Sequence, residues 1–357
     1  MADTSRPARR RRASLRRGAA GWAFVSPAVI VLGLFLLIPI LMAAWVSVSN
    51  WSGRGSPLAG SFVGLKNYES FLTTPGLAAK DFGTSIRNNA YYVLLVVPLE
   101  TILSLGLAIL VNRRALRGKG VFRTAFYFPS VTSTVAIVAL WTFLFSASGA
   151  VNAVLAQFSV KGPNWFNDPR GLFYVILGID QPTAAPDAPK ILGITVWDWL
   201  SGPSIAMCAF MIMSIFTTSG TFMLLFLAAL QAIGEETEEA ALIDGASAWR
   251  RIRHITVPLL RPTIFTVITL GTIGCWQVFE QMYVSGHGNP AKTTLTPAFL
   301  AYQSAFIDGQ WGVGAATSFV LFAIIVVFTL VLRALLGGRD PTLEKRRYRT
   351  PVKGVGS

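Results

Sequence analysis

Glu239-Ala240-Ala241-Leu242-Ile243-Asp244-Gly245-Ala246, followed by Ile255-Thr256-Val257-Pro258, is a polar stretch set between two long apolar segments. On a helix, Glu235, Glu238, Glu239 and Leu242 fall at i, i+3, i+4 and i+7, on neighbouring faces. Ala240 and Ala241 keep that surface thin, which lets another protein approach closely. A glycine in a helix interior costs about 1 kcal/mol, so Gly245 predicts a bend, with a second short helix from Ser247. Arg250, Arg251 and Arg253 lie on that second element, and Pro258 and Pro262 bound the next apolar segment. A structured polar loop of this kind reads as a docking surface, the plainer alternative being a helix–turn–helix that only links its neighbours.

The surroundings of the loop set the class. The chain has 357 residues, 53% hydrophobic and 13% charged, where a soluble domain carries about 25% charge. Six segments are long enough for a bilayer core of about 30 Å, which needs about 20 residues. They run Trp22–Val48, Ala90–Val111, Thr124–Phe145, Ile205–Leu230, Thr263–Val284 and Val313–Leu336. The expectation is an all-α integral membrane protein with six transmembrane helices. The first segment is too long for the core of a signal peptide and has no small-residue cleavage site, so it reads as a retained helix. The runs Gly171–Ile179 and Ile191–Leu200 are too short to cross and are bracketed by Pro and Gly.

Charge orients the chain. The net charge of +14 is not spread evenly: only eight of 31 Lys/Arg fall outside Arg6–Arg17, Arg113–Arg123, Arg250–Arg261 and the segment from Arg333 onward. By the positive-inside rule both termini are cytoplasmic. The expected plan is a basic cytoplasmic tail (1–20), a six-helix domain (21–336) and a second cytoplasmic tail (337–357). Within the domain, 171–204 is an external insertion and 231–262 a cytoplasmic loop. Basic clusters at the ends of apolar segments suit anionic membrane lipids and argue against nucleic acid. Cys208 and Cys275 sit inside apolar segments, and His254 and His287 are the two histidines. No disulfide framework, metal-ligand spacing, nucleotide motif or hydrolase motif is present. The chain is expected to hold no metal or cofactor, to contain no catalytic residue and not to be an enzyme.

Polar residues inside spans are expensive unless they face a cavity or a partner. Trp276, Gln277, Phe279, Glu280, Gln281 and Tyr283 form one such group, with Gln277 and Gln281 on one helical face at i, i+4. Rings beside amides and a carboxylate suit sugars, whose C–H faces stack while their hydroxyls take hydrogen bonds; polar contacts between helices are the alternative. Thr217, Thr218, Ser219 and Gly220, with Phe222 close by, interrupt another span. They predict local unwinding or a pore-facing surface, unless the hydroxyls bond back to backbone carbonyls. Glu100, beside Pro98, reads as a carboxyl packed within the bundle.

The order E-A-A, two residues, D-G-A, eight residues, I-x-V-P resembles the EAA coupling loop of bacterial ABC-importer permeases. Gly64-Leu65-Lys66-Asn67-Tyr68 is similar to the G-L-x-N-Y element of the carbohydrate-uptake branch. Gly149-Ala150-Val151-Asn152 through Trp165-Phe166-Asn167-Asp168-Pro169, Phe279-Glu280-x-x-Tyr283-Val284, Tyr302–Phe306 and Trp311–Ala316 resemble it too. Gly234 stands where the family has proline, Val257 where it has leucine, and Thr217 where it has a tryptophan of W-x-x-G-F. The resemblance implies a type I ABC importer permease fold in the bacterial inner membrane, and a subunit that forms half of a sugar path. Its partners would be a second permease, an ATP-binding cassette ATPase dimer that brings ATP and Mg, and an extracellular or periplasmic sugar-binding protein. Glu239, Ala240, Ala241, Asp244, Gly245, Ala246 and Pro258 would couple to the ATPase. Thr217, Thr218, Ser219, Phe222, Trp276, Gln277, Glu280, Gln281 and Tyr283 would line the path. The alternative, an ion-coupled secondary transporter using Glu100 and Glu280, would predict matched half-repeats, which the sequence does not contain, and would leave the Glu239 loop unexplained.

Overall fold

The computed structural model describes residues 21–113, 116–178, 189–233, 237, 241–286 and 288–337. The principal helices are α1 (Gly21–Ser47), α2 (Leu77–Asn112), α3 (Lys119–Val131), α4 (Thr134–Leu144), α5 (Ile205–Gln231), α6 (Arg261–Trp276), α7 (Glu280–Ser285) and α8 (Trp311–Leu336). Among the described residues, five spans are long and apolar enough to cross a membrane: α1, α2, α5, α6 with α7, and α8. The predicted third span is a pair instead: α3 and α4 meet at 99°. Pro129 brings no backbone N–H to the last turn of α3. Thr132 and Ser133 are then extended, and the Thr132 hydroxyl donates to the Phe128 carbonyl.

The centre of the bundle is α5, packed on α2 and α3, with α6 against α2. Over half of the apolar window of α5 is buried (56%), against 6% for α1, which packs mainly on α8, and 11% for α8, which packs as much on the helix Pro297–Tyr302 and also on α6. Lipid is as apolar as leucine, so helices in a membrane associate through small residues and hydrogen bonds. The motif glycines do this here. A Cβ on Gly220 would overlap the Phe126 carbonyl of α3, and one on Gly314 would lie 2.7 Å from the Ala301 carbonyl. At Gly312 the chain meets Asn67, whose Nδ2 donates to the Ser47 and Ser49 carbonyls at 2.9 Å each. The G-L-x-N-Y element therefore ties the end of α1 to the start of α8.

Helix α2 begins at Leu77, well before the predicted Ala90. Its extension buries Ser85, Arg87, Asn88 and Asn89, polar residues that a hydropathy reading places in a loop. Each has a partner. Arg87 donates to the Asp198 carbonyl and to Asn88 Oδ1, and Asn88 Nδ2 donates to the Lys292 and Leu295 carbonyls. The described part of the 171–204 segment rests on this extension. A hairpin of β1 (Lys190–Ile191) and β2 (Ile194–Thr195) leads into the helix Val196–Leu200, which a Thr195–Asp198 capping box starts. A Cβ on Gly83 would overlap the Leu192 carbonyl, and the Tyr91 hydroxyl donates to the Trp199 carbonyl.

Candidate substrate path and coupling loop

The span predicted as Thr263–Val284 is not one helix. It stops at Trp276 and resumes at Glu280, leaving Gln277, Val278 and Phe279 non-helical. Non-helical backbone at membrane depth is tolerated only where protein buries it or it lines a cavity. Both conditions hold. Asn89 Nδ2 of α2 donates to the Trp276 carbonyl at 3.1 Å, and the buried Thr296 hydroxyl donates to the Val278 carbonyl at 2.9 Å. Thr296 also accepts from the Phe299 N–H, capping the helix Pro297–Tyr302.

The break borders a partly open cavity of about 450 Å³ between α2, α5 and α6. Thr218, Phe222, Gln277, Glu280 and Gln281 line it, so five predicted path residues meet there. Gln277 and Gln281 do so from opposite sides of the break rather than along one helical face. Residues given no part in the path also line it, among them Tyr92, Glu100 and Ser214. Among the described residues, no Lys, Arg or His is part of the wall. The lining offers hydroxyls, amides, carboxyls and ring faces, a set matched to neutral polyhydroxylated ligands.

The remaining predicted path residues lie elsewhere. Helix α5 stays continuous through Thr217–Gly220. The Thr217 hydroxyl returns to the Met213 and Ser214 carbonyls and that of Ser219 to Phe216, so both bond to their own helix instead of unwinding it. Trp276 is buried against Phe328, with ring centroids 5.1 Å apart. Tyr283 stacks on Phe279 and meets Tyr302 edge-on, in an aromatic cluster that continues through Phe306 to Trp311.

At the opposite end of α5, Glu239 and Ala240 lie outside the described residues. Ala241–Ile243 are helical, and the helix closes in a Schellman turn. The Ala246 N–H reaches the Ala241 carbonyl, the Gly245 N–H reaches that of Leu242, and Gly245 has φ +70°. Ser247 caps the next element, its hydroxyl accepting from Arg250 N–H. That element runs as Ala248–Arg251, a π turn over Ile252–Thr256, and Val257–Leu259 with Pro258 in its first turn. Two helical pieces joined at Gly245 thus present Leu242, Ile243 and Trp249 to solvent, while Asp244 and Ala246 border a cleft with Arg250 and His254. Leu260 is buried beside Phe226 and Val267, seating the loop on the bundle.

Among the described residues, no group of three or more His, Cys, Asp or Glu could hold a metal. Outside the membrane, Arg170 holds the Asp168 carboxyl below the usual carboxylate range, with Nη2 2.6 Å from Oδ2. The Asp168 and Arg170 carbonyls accept from Ala206 and Ile205 N–H, so this turn anchors the start of α5.

Residues 101–342 match the family described as "Binding-protein-dependent transport system inner membrane component". The trehalose/maltose transport system permease protein MalF of Thermococcus litoralis is 31% identical over 88% of this chain and 93% of its own. The lactose transport system permease protein LacF of Rhizobium radiobacter is 32% identical over 93% and 97%. One chain of a crystal structure of a bacterial ABC transporter, involved in import of the acidic polysaccharide alginate, superposes with a TM-score of 0.66 at 18% identity. That match covers 96% of this chain and all of the other, and shares its fold. The chain therefore belongs to the family of inner-membrane components of binding-protein-dependent transport systems.

Proposed function

We propose that this chain is one permease subunit of an ATP-driven importer of sugars or oligosaccharides, and that the cavity at the break between α6 and α7 is its half of the path. The observation that carries the reading is the cavity itself: amides and carboxyls surround a break held open by Asn89 and Thr296, with no cation in its described wall. The names of the relatives, trehalose/maltose and lactose permeases, support the sugar class. The cavity's opening suits closure by a second permease. The loop through Gly245, with Leu242, Ile243 and Trp249 exposed, suits a groove on an ATPase dimer that binds ATP and Mg. The loop end then faces the cytoplasm, as do both termini, and the end carrying the 171–204 segment faces a sugar-binding receptor.

The test is reconstitution of the chain with its partner permease, ATPase and receptor in proteoliposomes. Receptor- and ATP-dependent uptake of maltose, trehalose, lactose or arabinooligosaccharides is expected. Gln277→Ala should raise the uptake KM, and Glu239→Lys or Gly245→Pro should abolish receptor-stimulated ATP hydrolysis in an assembled complex. Uptake driven by an ion gradient without ATP would overturn the reading.

A further inference from the structure

Glu100 lies midway along α2 and is fully buried, and neither carboxyl oxygen has a hydrogen-bond partner among the described residues. A buried polar group left unpaired is costly, and native proteins keep very few of them. Purely structural burial supplies partners to Arg87, Asn88 and the Asn89 amide nitrogen on the same helix, whereas Glu100, with the Asn89 Oδ1 and Tyr92 hydroxyl nearby in the chain, is left without one among the described residues. Glu100 instead borders the cavity at the break, which Gln277 and Gln281 also line. Helix α6 leaves it room: a Cβ on Gly271 would overlap Glu100 Oε1. With no Lys, Arg or His among the described wall residues, an ion pair does not account for it.

We infer that Glu100 is a substrate-binding residue, its carboxyl accepting hydrogen bonds from hydroxyls of a sugar in the cavity. A carboxyl is rich in acceptor sites and sugar hydroxyls are donors, so the geometry supplies the partner that the chain lacks. Gly271 is the residue that permits this, since any side chain there presses on Oε1. The inference rests on the proposed reading of the cavity as a sugar path.

The experiment measures uptake of radiolabelled maltose, trehalose, lactose and arabinooligosaccharides by the complete importer in proteoliposomes, in sodium and in potassium buffers. For each sugar the wild type imports, Glu100→Gln should raise KM about tenfold, the weight of one lost hydrogen bond. Glu100→Asp should recover part of that loss. Gly271→Ala, which retains the carboxyl but crowds it, should raise KM in the same direction, and it keeps the test readable if Glu100→Gln does not assemble. Unchanged KM in Glu100→Gln and Gly271→Ala, with a raised KM in Gln277→Ala, overturns the assignment and leaves the path reading standing. Unchanged KM in all three, or a wild type that imports none of these sugars, removes the path reading as well. Sodium-dependent uptake that Glu100→Gln abolishes would overturn it in favour of a bound cation.

Discussion

Replacing Thr296 by valine keeps the shape of a fully buried side chain and removes a hydroxyl that makes two hydrogen bonds. The acceptor role is the N-cap of Pro297–Tyr302, worth about 1 kcal/mol. The donor role satisfies the Val278 carbonyl at the break, and a buried carbonyl left bare costs about 1–3 kcal/mol. With little cavity created, the sum is roughly 2–4 kcal/mol. For a chain of this size that corresponds to about 3–6 °C in melting temperature, followed by thermal unfolding of the detergent-solubilised importer. Thr317→Val is the matched control. Thr317 is equally buried, but its hydroxyl donates to the Val313 carbonyl four residues back in its own helix, where the helical ladder already supplies a donor. Its loss should cost well under about 1 kcal/mol. Equal shifts in the two variants would refute the idea that the break depends on Thr296.

Gly220→Val should force α5 away from α3, because the Phe126 backbone occupies the space of a Cβ. Overpacking of about 1–3 kcal/mol would appear as a lower monodisperse yield by size exclusion, whereas Gly106→Ala, with open space around it, should behave as wild type. Asp168→Asn tests the anchor of α5. The folded carboxyl lies below its unfolded value of about 3.9, so its stabilisation is fully present above that value and is lost as pH falls through the lowered one. The melting-temperature gap between wild type and Asp168→Asn should therefore stay constant from about pH 7 to pH 5 and close on further acidification; a gap that does not change with pH counts against the pair.

What the sequence reveals depends on how local the cause is. The Gly245 bend and the Ser247 cap are readable because both are encoded within a few residues. Four of the five predicted residues that line the cavity, Thr218, Gln277, Glu280 and Gln281, are readable as polar exceptions in apolar spans, whereas Phe222 is not. The break itself is not: Gln277 and Gln281 fit a helical spacing, and the groups that satisfy the opened backbone, Asn89 and Thr296, come from other parts of the chain. The early start of α2 is hidden for a related reason, since its buried Arg87 and Asn88 look like loop residues until their partner carbonyls are in place. The same limit applies to Thr217 and Ser219, whose hydroxyls suggest a pore but bond back to their own helix.

Helix α1 has its main helical neighbour in α8, the last described helix. During synthesis it is made first and meets that neighbour last. Until then its described contacts are those of the Asn67–Tyr68 segment at its end, so its partition into the bilayer has to supply most of its hold. Its mean hydropathy of 2.8, among the highest of the spans, with apolar residues on every side, meets that demand. Helix α5, at 1.8, has α2 and α3 already present when it emerges and can give part of its surface to Ser214 and Thr218 at the cavity. A span that emerges into company, as α5 does, is free to carry this polarity but is not obliged to, since α8, the last described span, has the highest mean hydropathy at 2.9.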